Sequence, residues 1–466
     1  MRNQLAALCL LAFLSPSYAL ATERPNIIVI LADDLGYADI GSFGAKDYET
    51  PELDRMAKEG RRFTDFYVGG PACTPSRAAL MTGCYPLRAG FADQVSYRAD
   101  GTFSHSRVLW PNSKWGLNPN ELTIPEVLRD AGYTTGMVGK WHLGDAPMFN
   151  PIHHGFQEFF GAPYSHDMKP YYYQRGDNKL DETPDLDHHV ARYTEEATKF
   201  IRKSAATDKP FFLYFAHHNP HTPLESSEKF KGKSKRGAYG DAVAEVDWSV
   251  GQVLDTLREL KIDKHTLVIF TSDNGPWLSR GEEGGSATPL RGGKGTTYEG
   301  GMREPCVMWW PGTVPADTAC NQVAATLDFL PTFAALAGAK LPADRTIDGH
   351  DILPLMTDDN AKSPWDAFYY FLGNELHAVR SGDWKLRAKN TFFNENIYRK
   401  NAPKEPEIPA ALYNLRLDPG EQKSVLKDHP KIAARLEGLL QAVRNDLGDS
   451  LTGVKPTNTR PPGKAP

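Results

Sequence analysis

Four strand-like stretches recur along the chain, and each ends in a cluster of polar or charged side chains. Asn26–Leu31 runs into Asp33-Asp34, Tyr133–Gly139 into Lys140-Trp141-His142, Pro210–Ala216 into His217-His218-Asn219-Pro220-His221, and Thr266–Phe270 into Ser272-Asp273-Asn274. Short, nearly continuous apolar runs are the pattern of strands buried on both faces, as in a parallel sheet. Helical patterns lie between them. Pro51–Glu59, Pro125–Asp130 and Tyr193–Ser204 read as helices, and Val243, Val246, Val250, Val253, Leu254, Leu257 and Leu260 follow helical spacing. A further strand, Arg62–Val68, leads to Cys73; Pro305–Trp310 reads as a strand and Leu327–Ala337 as a helix. The fold class expected is α/β: a large mixed, mostly parallel sheet flanked by helices.

Near Asn360–Trp365 the pattern changes to short alternating strands, Phe368–Leu372, His377–Ser381, Trp384–Arg387 and Leu412–Leu415, and then an amphipathic helix, Ile432–Leu447. This predicts a smaller α+β C-terminal domain, an antiparallel sheet with one helix. The expected division is a signal peptide at 1–21, a catalytic domain at 22–362, the C-terminal domain at 363–451 and a disordered tail at 452–466, rich in Thr, Pro and Lys. Arg2, the apolar Leu5–Leu14 and Ala19-Leu20-Ala21 supply the three parts of a signal peptide. With no Asn-x-Ser/Thr sequon in the chain, the expectation is an exported protein of a bacterial periplasm or a secreted one, without membrane insertion.

Open α/β sheets bind ligands at the carboxyl ends of their strands, which is where the polar clusters fall. Asp33 and Asp34 repel one another unless a cation lies between them, and a hard ion such as calcium would serve; an Asx turn or a helix cap is the plain alternative. Asp273 and Asn274 offer further oxygen donors. Lys140 and His142, at i and i+2, point to one side of an extended chain. The loop with His217, His218 and His221 suits a general acid better than zinc, since no Cys or carboxylate spacing accompanies it. Ser165 can donate one hydrogen bond to an anion. Lys294 lies among Gly292, Gly293 and Gly295, where backbone can approach a ligand closely. A net charge of −5 gives no reason to expect nucleic acid, so an anionic substrate needs a local cationic site. Asp33, Asp34, Asp273 and Asn274, with Arg77, Lys140, Lys294, His142 and His221, fit metal-assisted attack on a tetrahedral oxyanion ester.

Cys73-Thr74-Pro75-Ser76-Arg77 follows the turn Gly69-Gly70-Pro71 and opens a short helical pattern. Cys73 would sit at a helix N-terminus, where backbone N–H groups favour an anion, and Arg77 one turn later adds a forked cation. A buried, inert cysteine is the plain alternative. Of the remaining cysteines, Cys9 falls in the signal peptide, and a Cys306–Cys320 disulfide is open in an oxidising compartment.

The pattern Cys-x-Pro-Ser-Arg with Leu-x-Thr-Gly after it resembles the signature of the type I, formylglycine-dependent sulfatases. The order Asp33-Asp34, Cys73–Arg77, Gly139–His142, Tyr164–Asp167, His221–Pro223, Ser272–Gly275 and Gly292–Lys294 before Glu299–Arg303 resembles that family throughout, nearest the group of arylsulfatase A and N-acetylgalactosamine-6-sulfatase. The resemblance implies an alkaline-phosphatase-like sheet and hydrolysis of a sulfate monoester on a carbohydrate or aryl group. It implies that a maturation enzyme converts Cys73 to formylglycine (3-oxoalanine), and that one Ca²⁺ is held by Asp33, Asp34, Asp273, Asn274 and residue 73. It implies that Lys140, Ser165 and Lys294 bind sulfate, Arg77 steadies residue 73, and His221 protonates the leaving alcohol. His142 is implied as the group that takes the second diol proton. His153, His154, Asp167 and Trp277 fall in the regions that differ and are expected at the rim. Two other readings remain: a phosphatase or phosphonate monoester hydrolase on the same scaffold, and a sulfated-sugar-binding protein left unconverted at Cys73.

Overall fold

A computed structural model describes residues 24–96, 98–102, 107–180, 184–390 and 408–466. The expected signal peptide and Cys9 lie outside the described residues. The main sheet contains β1 (Asn26–Ala32), β2 (Arg61–Tyr67), β3 (Thr134–Lys140), β4 (Glu158–Ala162), β5 (Phe211–Ala216), β6 (Thr266–Ser272), β7 (Arg303–Trp309) and β8 (Thr318–Cys320). Their spatial order is β8-β2-β7-β6-β1-β5-β3-β4, with a two-residue hairpin, Gln174–Arg175 and Asn178–Lys179, beyond β4. The sheet is mixed and mostly parallel, as expected, with β7 antiparallel to both β6 and β2.

Side chains alternate along β1. Ile27, Val29 and Leu31 pack on one face with α2 (Cys73–Thr82), α3 (Ile124–Asp130) and α7 (Phe329–Ala337). Ile28, Ile30 and Ala32 pack on the other with α1 (Pro51–Glu59), α4 (His189–Ala205) and α5 (Ala238–Glu259). Both faces are covered, so period-two alternation of polarity is absent from the sequence. Between β6 and β7 the chain makes a long loop ending in the one-turn α6 (Glu299–Met302).

The second sheet, β9 (Phe368–Leu372), β10 (Glu375–Ser381), β11 (Trp384–Arg387) and β12 (Ala411–Asn414), is an antiparallel meander. Leu436, Leu440, Val443 and Leu447 of α8 (Pro430–Leu447) join its core, together with Tyr67, Met302 and Leu327 of the main body.

One expectation needs correction, and one pairing the sequence left open is absent. The tail 452–466 is not a disordered strand of polar residues: Gly463–Lys464 pairs with Trp115–Gly116, and Arg460 donates to the buried Glu121 at 2.6 Å. Its composition carried no sign of these distant partners. Cys306 and Cys320 are free thiols. Both stand opposite Phe63, one on each side of β2, so their backbones are two strand spacings apart, roughly 9.5 Å. A disulfide needs Cα atoms within about 7 Å.

Candidate active site

All the parallel strands end at one edge, and register brings their last residues level. Ala32 stands opposite Ser272 and Leu31 opposite Ala216, which stands opposite Gly139. The residues that follow are therefore neighbours: Asp33-Asp34 after β1, Asp273-Asn274 after β6, His217–His221 after β5. Lys140 is the last residue of β3. Because β7 runs backwards, its approach brings Lys294 and α6 to the same edge. β2 also ends there and delivers Cys73 to the first turn of α2.

Cys73 Sγ lies 3.5 Å from Asp33 Oδ1, and Lys140 Nζ donates to Asp33 Oδ2. Arg77 Nε donates to Asp273 Oδ2 at 2.9 Å and Nη1 to the Lys140 carbonyl at 2.8 Å. Lys294 Nζ is 2.7 Å from the Asp34 carboxylate, and His221 Nε2 is 3.6 Å from its Oδ2. Ser165 Oγ lies 3.4 Å from His221 Nδ1. Three carboxylates, Asp33, Asp34 and Asp273, thus face three cations, Arg77, Lys140 and Lys294, all buried. Access decides where a substrate enters: Lys140 is 0% exposed, His221 and Lys294 keep 4% and 5%, and Trp277 beside them is half-buried.

Burial raises carboxylate pKa values and neighbouring cations lower them. At Asp33, burial is outweighed by Lys140, His221, Arg77 and Lys294, and the group stays ionised well below the usual range. At Asp34 burial wins over Lys294, with help from Asp33 and Asp273, and the carboxyl is pushed up to about 7. Burial and Asp33 also raise Asp273 against the pull of Arg77. The Cys73 thiol is driven well above its ordinary value by burial and by Asp33, so it is a protonated, poor nucleophile at neutral pH.

The donor set suits a hard cation. Asn274 Nδ2 donates to Asp34 Oδ1 at 2.7 Å, while Asn274 Oδ1, fully buried, accepts no hydrogen bond among the described residues. An orphaned buried oxygen costs stability unless something binds it. Ligand atoms of Asp33, Asp34, Cys73 and His221 all lie within 4.8 Å of one another. Two carboxylates of that group, with the Asn274 oxygen and Asp273 beside them, give an oxygen-rich donor set that fits a hard ion such as calcium. Asp34 and His142 both adopt left-handed backbone, φ 64° and 62°, an uncommon conformation for non-glycine residues. Gly275 is required: a Cβ there would lie 1.9 Å from the Gly300 carbonyl, so only glycine lets the Lys294 loop close on Asn274.

His142 reaches the site by a different route from the one expected. The strand ends at Lys140, and the left-handed turn, not an extended i, i+2 pair, orients the imidazole. Its Nε2 is 3.1 Å from the Leu109 carbonyl, which can only accept, so Nε2 carries the proton. Nδ1 is buried and has no partner among the described residues. Burial, Lys140 and Arg77 hold this imidazole neutral far below its usual range, leaving Nδ1 as a base. Thr74 Oγ1 ties the Cys73 turn to the His142 carbonyl at 3.1 Å.

Of the three loop histidines, His221 alone is within reach of the acids. His217 bonds Ser249 and His218 the Tyr164 carbonyl. His166, which the sequence did not single out, stacks edge-on behind His221 at 5.8 Å. Of the expected rim residues, His154 is buried against Trp141, His153 pairs with Asp177 at 3.1 Å, and Asp167 is exposed. Trp277 does reach the site, its ring 5.3 Å from that of His221.

Residues 25–339 match the Sulfatase family, and residues 293–446 match the domain described as N-sulphoglucosamine sulphohydrolase, C-terminal. The chain belongs to the sulfatase family. It is a sulfuric ester hydrolase. It is 44% identical to N-acetylgalactosamine-6-sulfatase of Rattus norvegicus over 409 residues, 82% of this chain and 75% of that one. It is 39% identical to Arylsulfatase A of Homo sapiens over 466 aligned residues, 91% and 87% of the two chains. Among solved structures, Ps i-CgsB in complex with k-i-k-neocarrahexaose superposes with a TM-score of 0.76 at 32% identity, covering 90% of this chain and 93% of that one. The PsFucS1 sulfatase from Pseudoalteromonas sp. superposes with a TM-score of 0.80 at 28% identity, covering 90% of each chain. A phosphonate monoester hydrolase of Agrobacterium radiobacter, at 18% identity and a TM-score of 0.63, shares the fold alone. Among the described residues no helix is long and apolar enough to cross a membrane.

Proposed function

We propose that this sulfatase hydrolyses a sulfate monoester on a saccharide, with formylglycine made from Cys73 by a maturation enzyme and one calcium ion bound by Asp33, Asp34, Asp273 and Asn274. The observation that carries the reading is the position of Cys73 Sγ: 3.5 Å from Asp33, at the mouth of a helix, in a site where three cations and an orphaned Asn274 oxygen converge. The sulfur stands in for an oxygen of the hydrated aldehyde. When bound, the calcium supplies Lewis acidity toward a sulfate oxygen, and the hydrated residue 73 supplies a hydroxyl nucleophile.

The chain's own residues do the rest. Lys140 and Lys294 offer ammonium donors to sulfate oxygens, and Ser165 offers a hydroxyl; these contacts gain strength as charge develops. Arg77, held by Asp273 and the Lys140 carbonyl, fixes the turn that carries residue 73. His142 Nδ1 is the base that takes the second diol proton, so that the aldehyde re-forms with loss of sulfate and no water need attack the sulfated residue; one water then adds to the aldehyde and restores the diol. His221 lies on the open side and protonates the departing alcohol. Burial and Lys294 hold it neutral without substrate. The negative charge of an arriving sulfate ester opposes both effects and favours the protonated acid. The homologous sulfated-sugar enzymes support a saccharide as the substrate class, and the protein is taken as exported.

The test is a comparison of kcat/KM on an aryl sulfate and the matching aryl phosphate, in calcium, for the wild type and Cys73→Ala. The sulfate should be preferred and the variant inert. A preference for phosphate would favour the phosphatase reading, and tight binding of sulfated sugar with no turnover would favour the binding-protein reading.

A further inference from the structure

The loop after Asn274 carries a cation that the chemistry above does not use. Arg280 is solvent-exposed, and its guanidinium carbon lies 4.1 Å above the centre of the Trp277 ring. It forms no ion pair and no side-chain hydrogen bond with any described residue. Lys294 Nζ is 4.6 Å from the same ring centre, and the ring of His221 is 5.3 Å away. Both cations being measured from one point, the guanidinium lies within about 9 Å of Lys294 Nζ. Trp277 thus links the group that would hold the sulfate, and the acid that would protonate the leaving alcohol, to a forked cation in solvent.

The placement is built. Arg236 donates to the Glu282 carbonyl at 2.7 Å and to the Gly284 carbonyl at 2.8 Å, which pins the loop to the start of α5. Stacking on an indole holds a guanidinium flat while leaving its edge donors free. Neighbouring Leu278, 46% exposed, adds apolar surface beside the indole. Within the catalytic cluster His221 and Lys294 keep the residual exposure and both lie against Trp277, so this loop borders the side of the cluster open to solvent.

We propose that Arg280, carried on Trp277, binds a second anionic group, sulfate or carboxylate, on the saccharide that bears the scissile ester. The inference rests on the sulfatase reading above and narrows its substrate class to saccharides with two or more negative charges. A guanidinium pairs bidentately with either oxyanion, and its fixed position lowers the ordering cost of binding.

The experiment uses the calcium-loaded, matured enzyme and four substrates: an aryl sulfate, a monosulfated neutral disaccharide, a disulfated disaccharide and a monosulfated disaccharide containing a uronate. Arg280→Ala should raise KM about tenfold on the doubly charged substrates, the size of one charge-assisted hydrogen bond, with kcat held. The two singly charged substrates should change less than about twofold by the same scale. Arg280→Lys should recover part of the loss, and added salt should erode the wild-type advantage. The two doubly charged substrates separate sulfate from carboxylate recognition. Equal losses on all four substrates, or no loss on any, would overturn the proposal while leaving the sulfatase reading intact. A wild type that hydrolyses none of the four would remove that reading and the proposal together.

Discussion

Two clusters of buried charge lie on either side of the loop 292–303, and they differ in what they leave unsatisfied. In the catalytic cluster Asn274 Oδ1 and His142 Nδ1 have no partner, and Asp34 is pushed up to about 7. In the second cluster, Glu299 of α6 accepts from Tyr67 at 2.5 Å, Tyr370 at 2.8 Å and Lys385 at 2.9 Å. Lys385 also lies 3.0 Å from Glu421, and Asp65 pairs with Arg380 at 2.7 Å and Arg303 at 3.2 Å. Burial alone would raise Glu299, but Lys385, Arg380 and Arg303 outweigh it and hold the carboxyl at about 2. Both clusters are charged and buried. The first keeps valences for a ligand; the second pairs its carboxylates with its cations and locks the C-terminal sheet to α6, five residues beyond Lys294, although Arg387 Nε and Nη2 beside it have no hydrogen-bond partner among the described residues. Buried charge by itself therefore does not mark a site. Orphaned atoms beside a narrow opening do.

The largest expected effect belongs to the first cluster. Cys73→Ala should lower kcat by on the order of 10⁴-fold or more, as loss of a nucleophile does, with little change in the thermal midpoint. A large loss of stability would mean that residue 73 is structural and blur the distinction. The opposite split is expected at Lys385→Met. Removing one partner strands Glu299 and Glu421, which should cost roughly 3–5 kcal/mol of stability. Activity per folded molecule should fall by no more than a few fold, read by denaturant titration beside kcat.

Acid should separate the clusters further. Glu299 has a folded pKa below its ordinary 4.5, so its stabilisation is present above about 4.5 and is lost as pH falls toward about 2. The shift corresponds to at most roughly 3 kcal/mol, and burial pushes Glu421 the other way, offsetting part of it. The stability gap between wild type and Glu299→Gln should shrink steadily between pH 5 and pH 3, by roughly 2 kcal/mol at most. A gap that stays constant would show that the pairing contributes nothing net. The smallest effect expected is at Asn274→Ala. It should weaken calcium about 10–100-fold, read as the calcium concentration that half-restores activity after chelation. Unchanged calcium dependence would place the ion elsewhere.

Much of this was legible from the sequence because parallel topology does the assembly. A buried strand ending in Asp33-Asp34 or Asp273-Asn274 needs only a common direction to bring those groups together, and apolar runs declare that direction. The proposed nucleophile was legible through its short motif and helix N-terminus. What stayed hidden depended on tertiary partners. His142 looks extended in sequence, but its neighbours force a left-handed turn. Arg460 reads as part of a polar tail until Glu121, more than three hundred residues earlier, supplies a buried carboxylate. Lys385 and Glu421 look like surface charges on short strands and turns, and only the docking of the second sheet makes them a cluster. Cys306 and Cys320 look pairable by spacing, and β2 between them prevents it.

The most direct test of the account is mass spectrometry of the tryptic peptide Phe63–Arg77 from protein made in its native host, on the same preparation that hydrolyses an aryl sulfate. The account predicts the aldehyde of formylglycine at position 73, in a fraction that tracks specific activity. Full hydrolysis by protein whose position 73 is entirely cysteine would contradict it.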